Sequence, residues 1–365
     1  MDLKVNCEGC GADLAFVPGT KSLTCRHCQH QMEFAEPESQ HHAGEELDLA
    51  TYLNNFSDNN PQIERLVIRC KGCGAETELQ TNHQSCSCPF CDTALVVQQA
   101  HLKNFIKPKG ILPFAIKKES AREQFTVWLN KLWFAPGDLK KQFTQHDKFI
   151  GLYLPFWTYD CDTSTYYVGQ RGVHYQETVS ETNSSGQAVT KTVTRTRWSP
   201  AQGRVECNFD DILVPATKSL PTAKLNALEP WGLPDLVDYK DEYLTGYVAE
   251  TYQVELKSGY ETAKIIMENR IRGAVEQDIG GDTQTILSLD IQHSRATFKH
   301  ILLPVWVSAY RYRNKLYQII VNARTGDVQG ERPWSWVKIT LASLLGASLV
   351  AVAMYFVAMA NQTNM

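Results

Sequence analysis

The sequence has no GxxxxGKS/T phosphate loop, no GxSxG elbow, no HExxH pair and no GxGxxG run behind a strand. A nucleotide-driven motor, an elbow-type hydrolase, a metalloprotease and a dinucleotide enzyme each need one of these. The acid pairs Asp160/Asp162 and Asp210/Asp211 are present, and carboxylates placed by sequence alone read as solvated or turn-forming. An enzyme is not expected. An apolar signal-peptide core is also missing from Met1 to Cys7, so no leader is expected to carry the folded part outward. Positive charge is scarce over the first hundred residues, where six Lys and Arg face fourteen Asp and Glu, a net −8. Nucleic-acid interfaces are built on clustered cations, so a nucleic-acid partner is not favoured. The whole chain of 365 residues, 43% hydrophobic and with net charge −4, has the length for two or three domains around at least one sizeable core.

Cysteine is abundant where cations are scarce. Eight of the eleven cysteines form four CxxC pairs: Cys7/Cys10, Cys25/Cys28, Cys70/Cys73 and Cys88/Cys91. In both halves 14 residues separate the two pairs, and Cys7-Glu8-Gly9-Cys10-Gly11-Ala12 recurs 63 residues later as Cys70-Lys71-Gly72-Cys73-Gly74-Ala75. Two thiolates two residues apart grip a metal from one tight turn, and a second turn across a hairpin completes a tetrahedral four-sulfur site. The expectation is two zinc ribbons, residues 1–34 and 64–100, each holding one structural Zn2+. Rubredoxin-like iron and redox dithiols are the alternatives. Four sulfurs leave no coordination position for an activated water, so the metal is not catalytic. His27, His30 and His83 read as exposed, Cys86 as a spare thiol, and Cys161 and Cys207 as buried small hydrophobes. Residues 35–63 read as an acidic linker, with one short amphipathic helix from Leu47, Leu49, Tyr52, Leu53 and Phe56.

Residues 101–333 read as an α+β domain with an internal duplication. Strand-like Ile111–Ile116, a helix carrying Phe125, Trp128, Leu129 and Leu132 on one face, and strand Leu152–Trp157 form one unit. Strand-like Tyr247–Leu256, a helix over about 260–278 stopping at Gly280-Gly281, and strand Ile301–Trp306 form the other. Each LPxW strand leads into a tyrosine-rich hairpin. Between the units, in an insertion over 175–200, residues 178–198 alternate Thr with Val, Lys or Arg around Asn183-Ser184-Ser185-Gly186. This predicts a protruding hairpin, either solvated or an edge for a partner. Lys103, Lys107, Lys109, Lys117, Lys118 and Arg122 form a basic stretch, a solvated face or one turned to anionic lipid.

One apolar run stands apart. Ile339 to Ala360 holds 22 residues without a charge, about 33 Å as a helix against a hydrocarbon core of roughly 30 Å. Residues 337–360 are therefore expected to cross a membrane, a buried core helix being the alternative. Trp334 and Trp336 precede the run like an interfacial belt. Arg324, Arg332 and Lys338 lie on its N-terminal side and no cation lies in the tail, which puts the large N-terminal part in the cytoplasm of a tail-anchored protein. Ala342 with Gly346, and Ser343 with Ala347 and Ala351, place small residues four apart. Either they form a seam for a homo-oligomer or they reflect the usual composition of membrane helices.

The paired ribbons, Leu154-Pro155-Phe156-Trp157-Thr158, Leu228-Glu229-Pro230-Trp231, Ile279-Gly280-Gly281-Asp282, Leu303-Pro304-Val305-Trp306 through Tyr317, Gly330-Glu331-Arg332-Pro333-Trp334-Ser335 and the final helix together resemble a family of bacterial zinc-ribbon inner-membrane proteins. Members often carry a primosomal N′, replication-restart helicase-like name. The resemblance implies company with phage-shock-protein-A-type and flotillin-like (SPFH) proteins, and a part in recruiting envelope-stress machinery to the membrane. The motor implied by the helicase name has no phosphate loop here. The expected function is a non-enzymatic membrane-anchored adaptor for cytoplasmic protein partners. The alternative is a nucleic-acid-associated zinc-ribbon factor without a motor.

Overall fold

Near-continuous apolar runs suit strands buried on both faces, and the two LPxW segments lie in long strands, Ile150–Thr182 and Thr283–Tyr312. The computed structural model describes residues 6–33, 45–54, 62–78, 86–137, 149–182, 188–313 and 315–363. In it the two strands run antiparallel at the centre of a nine-stranded sheet, with Leu154 opposite Leu303. Side chains alternate across the sheet: Leu152, Leu154, Phe156, Ile301, Leu303 and Val305 enter one core, and Tyr153 and Trp306 another on the opposite face. The fold is mixed α and β with sheet dominant.

The internal duplication appears as paired hydrogen bonds. Gly110–Ile111 lies parallel to Ile301 and Leu302, while Val248–Ala249 lies parallel to Leu152 and Tyr153. Each short strand is followed by a helix, Lys118–Lys131 in the first unit and Leu256–Ile279 in the second. Trp157 Nε1 donates to the Val254 carbonyl and Trp306 Nε1 to the Ile116 carbonyl, both at 2.8 Å. The Ala216 amide donates to Pro155 O at 3.0 Å and the Ala323 amide to Pro304 O at 3.1 Å. An approximate twofold axis therefore passes between Leu154 and Leu303. The strands expected over Ile111–Ile116 and Tyr247–Leu256 each shorten to two residues, because the chain leaves the sheet to present the carbonyls of Ile116 and Val254 to the two tryptophans.

The units differ in their hairpins. Ile150–Thr182 pairs with Ala188–Pro215 all the way to Thr182 opposite Ala188, with the tip Asn183–Gln187 outside the described residues. Thr283–Tyr312 flanks this ribbon only as far as Gly172. The helix Leu256–Ile279 covers the three-stranded part through Ala263, Met267, Ile271 and Val275, one residue every four, and ends at Gly280 and Gly281, which both adopt left-handed φ. Gly259 permits the close approach, since a Cβ there would sit 2.4 Å from the Tyr159 hydroxyl. Beyond Gly172 the ribbon is two-stranded and almost wholly exposed.

Among the described residues one helix is long and apolar enough to cross a membrane. It is part of Trp336–Thr363, and its stretch Trp336–Phe356 has mean hydropathy 2.0 with none of it buried in the protein. Its base is clasped by the loop after Lys118–Lys131: the Ser335 amide donates to Phe134 O at 2.8 Å, and Lys338 Nζ donates to the carbonyls of Ala135 at 2.8 Å and Trp133 at 3.2 Å.

Candidate metal centres

Each CxxC turn follows from local backbone chemistry. The residue after the second cysteine takes a left-handed φ at all four turns: Gly11 (72°), Gln29 (60°), Gly74 (78°) and Asp92 (58°). This lets two hydrogen bonds close the turn around each first cysteine. At Cys7 they are Gly11 N to Cys7 O and Cys7 N to Ala12 O, both 2.8 Å, and the same pair recurs at Cys25, Cys70 and Cys88. Glycine relieves the strain at two of the turns. The amides of His27 and Cys28 point at Cys25 Sγ at 3.4 and 3.5 Å, and that of Gly72 at Cys70 Sγ at 3.3 Å.

The structure brings all eight predicted ligands into two clusters of four, Cys7/Cys10/Cys25/Cys28 and Cys70/Cys73/Cys88/Cys91, with the sulfurs of each within 4.8 Å of one another. Cross-turn Sγ–Sγ distances are 3.4 Å for Cys7–Cys28 and 3.5 Å for Cys10–Cys25, Cys70–Cys91 and Cys73–Cys88. A tetrahedral site with Zn–S bonds near 2.3 Å spaces its sulfurs about 3.8 Å apart, while a disulfide needs about 2.05 Å, so the thiols are set for a metal and not for bridges. Proton affinity is already uneven. The Cys28 amide pulls Cys25 down to about 6, and the Cys88 thiol pulls Cys73 down to about 5 while Cys88 is pushed up in return. Each cluster thus favours thiolate at one cysteine, the form a metal takes, while Cys10, Cys28, Cys88 and Cys91 are pushed the other way by the neighbouring sulfurs and by burial.

The chain's likeness to known proteins can be set beside this geometry. No protein-family model matches the chain, and no solved structure matches it. It resembles a bacterial protein. It is 25% identical over 359 residues to the uncharacterized protein YdjG of Bacillus subtilis (strain 168), covering 96% of this chain and 97% of that protein. The likeness spans nearly the whole architecture.

The clusters are built into the body. Cys7, Cys25, Leu14, Phe16 and Leu23 share a core with Phe114, Tyr153 and Trp306. The Phe16 amide donates to Thr245 O at 3.0 Å, and Gly19 N to Phe114 O at 2.8 Å. Cys70, Cys88, Cys91 and Phe90 enter the core on the other face of the sheet with Leu112, Leu154 and Trp231. Gln318 Nε2 donates to Phe90 O at 2.8 Å, and Arg65 pairs with Asp241 at 2.7 Å. The strand Gln62–Arg69 sits between Glu76–Glu78 and His101–Ile106, so the expected boundary at residue 100 falls inside one small sheet. His27 and His30 are exposed and Cys161 is buried, but Cys207 is only half-buried. His83 lies outside the described residues.

Asp160 meets Asp210 and Asp211 at a bulge in the long hairpin, where the register shifts between Tyr159 and Cys161, while Asp162 faces Arg295 and Asn208 instead. Glu46 joins Asp160 and Asp210 there. Lys299, with its side chain 7% exposed, supplies the counter-charge, reaching Asp211 at 2.9 Å and Glu46 at 3.1 Å. Burial and the hydrogen bond with Glu46 raise Asp160 to about 7. Burial opposes ionisation of Glu46, but its bonds to Asp160, Thr297 and Lys299 outweigh this and hold it low. Sequence reasoning missed this junction because Glu46 comes from the supposed linker. There Leu47–Asp48 pairs with Thr297 and Phe298, and a helix of only Leu49–Asn54 follows, burying Leu49 and Tyr52. Phe56 lies outside the described residues. In the basic stretch, Lys103 pairs with Glu76 at 3.1 Å and Lys109 with Glu45 at 3.0 Å, a structural use of two of its cations.

Proposed function

We propose that the protein is a non-enzymatic, membrane-anchored adaptor that holds cytoplasmic protein partners at the inner membrane. The observation that carries this is the terminal helix: Trp336–Phe356 is apolar, has none of its length buried in the protein, and begins at exposed Trp336 just after exposed Trp334. A helix of that kind is stable when lipid covers it. Arg332 and Lys338 at its start favour a cytoplasmic body. Zn2+ is the ion that suits both clusters, because four cysteine thiolates in a tetrahedral arrangement match its structural sites and leave it no open position. The ions fasten the two ribbons to opposite faces of the sheet. Phage-shock-protein-A-type or flotillin-like proteins are the partners that the family resemblance suggests.

The test is affinity purification from detergent-solubilised membranes, with and without chelator. A stoichiometric protein partner, weakened when zinc is removed, supports the adaptor. Nucleic acid retained at low salt and stripped at high salt supports the alternative factor instead. A chain lacking Trp336–Thr363 should move from the membrane to the soluble fraction. Its staying with the membrane overturns the anchor.

A further inference from the structure

At the foot of the body, where the segment after Gly330 leads into the apolar helix, lies a pocket of about 570 Å³. Arg313, Lys315 and Arg332 bring three cations to its lining, and Tyr317, Trp334 and Trp336 bring three aromatic rings; among the described residues no carboxylate lines it. The Arg332 guanidinium lies 4.2 Å from the centroid of the Trp334 ring, and the Lys315 ammonium lies 5.5 Å from that of Tyr317. Such contacts position a cation without neutralising it. Glu331, the sequence neighbour of Arg332, faces Lys224 at 2.7 Å. The pocket also includes Ile339, from which the exposed apolar helix runs on. Cations, amphipathic rings and an apolar rail thus follow one another in the order in which a bilayer presents phosphate, glycerol and acyl chain.

We propose that this pocket binds the phosphate headgroup of an anionic phospholipid, whose acyl chains lie along the helix from Ile339 onward. The proposal rests on the reading of that helix as membrane-spanning. A free phosphate shares the headgroup's charge but cannot use the apolar rail, which is why a lipid is the ligand inferred. The bound lipid fixes the depth and tilt at which the body meets the membrane, since the Ser335 and Lys338 bonds tie the helix base to the same region.

The experiment uses full-length protein in a nonionic detergent, titrated separately with dioleoylphosphatidylglycerol, dioleoylphosphatidylcholine and inorganic phosphate, with bound species counted by native mass spectrometry. Phosphatidylglycerol should bind about tenfold more tightly than phosphatidylcholine, and inorganic phosphate should not displace it. Combining Arg313→Gln, Lys315→Gln and Arg332→Gln should abolish the preference, while Lys315→Arg keeps it. The triple variant should still hold both metal ions and still fractionate with membranes. Equal binding of the two lipids by the wild type, an undiminished preference in the triple variant, or displacement by phosphate overturns the proposal. Recovery of the wild type in the soluble fraction overturns the spanning reading instead, so the two failures are told apart.

Discussion

Replacing Cys88 by serine tests whether the second ribbon is a separate bead or a part of the body's core. The substitution leaves a three-thiolate site, which is weaker and open, so metal content should fall from two ions per chain to one. The loss should not stay local. Cys88 and Cys91 flank Phe90, which is 0% exposed and packs with Leu154 and Val305 around the twofold axis. A fully buried phenylalanine contributes up to about 3 kcal/mol. The Gln318–Phe90 bond, at 2.8 Å, adds about 1 kcal/mol. A relaxed turn that frees Phe90 therefore removes about 3–4 kcal/mol from the body, a fall in its unfolding midpoint of roughly 6–16 °C. The assay is thermal unfolding of the detergent-solubilised chain followed by far-ultraviolet circular dichroism, with metal counted by mass spectrometry. A variant holding one ion with the midpoint unmoved would refute the reasoning. Cys86→Ser should keep both ions.

Further expectations concern the body. Lys299→Met should cost about 3 kcal/mol at neutral pH, at the low end for a broken buried pair because Glu46 and Asp211 remain 26% and 31% exposed. Denaturant titrations should show part of that loss recovered at acid pH, because Glu46, held low in part by Lys299, takes up its proton more readily without it. His300 lies between Trp157 and Tyr252, its Nδ1–H donating to Ile106 O at 2.8 Å, while its buried Nε2 has no partner among the described residues to accept a second proton. Burial holds it down at about 4 against the ordinary 6.5. The unfolded chain therefore binds the extra proton first, and stability should fall as pH drops from 6.5 toward 4, by no more than about 3 kcal/mol. A His300→Gln chain should lack that component of the pH slope; an identical slope would count against it. Gly259→Ala gains about 1 kcal/mol of helix propensity, yet its Cβ would lie 2.4 Å from the Tyr159 hydroxyl and disturb the Tyr159–Leu256 bond. Overpacking should win, for a net loss of about 1–2 kcal/mol in chemical denaturation. A stabilised variant would show that the helix can lift off the sheet freely.

What the sequence makes legible is what a short period or a fixed spacing encodes. The eight ligands, the helix ending at Gly280-Gly281, the two LPxW strands and the apolar helix all belong to this class. Glycine occupies the left-handed position at Gly11 and Gly74, while Gln29 and Asp92 adopt the same φ without it in turns closed by the same hydrogen bonds, which spacing alone does not disclose. The seating of the ribbons was not legible. Phe16 and Phe90 are single aromatic residues in short segments, and no periodicity tells which distant core they enter. The pairing of Leu47–Asp48 with Thr297 and Phe298 joins residues some 250 apart in sequence, and an acidic composition conceals it. The basic stretch misleads in the opposite sense, because Lys103 and Lys109 are partnered by acids that lie close only after folding.

The unequal hairpins have a consequence for distance. Thr283–Tyr312 is one strand of 30 residues whose last residue adjoins the cationic foot and whose first lies far out on the long ribbon. At about 3.3 Å per residue its contour approaches 100 Å, roughly three times the hydrocarbon thickness of a bilayer. The neighbouring strand continues ten residues beyond it, from Val173 to Thr182. With the helix Leu256–Ile279 splinting its middle, the chain carries a gauge of fixed length. On the proposed reading of the apolar helix as a membrane anchor, a partner bound near Thr182 and Ala188 sits at the opposite end of this long strand pair from the lipid.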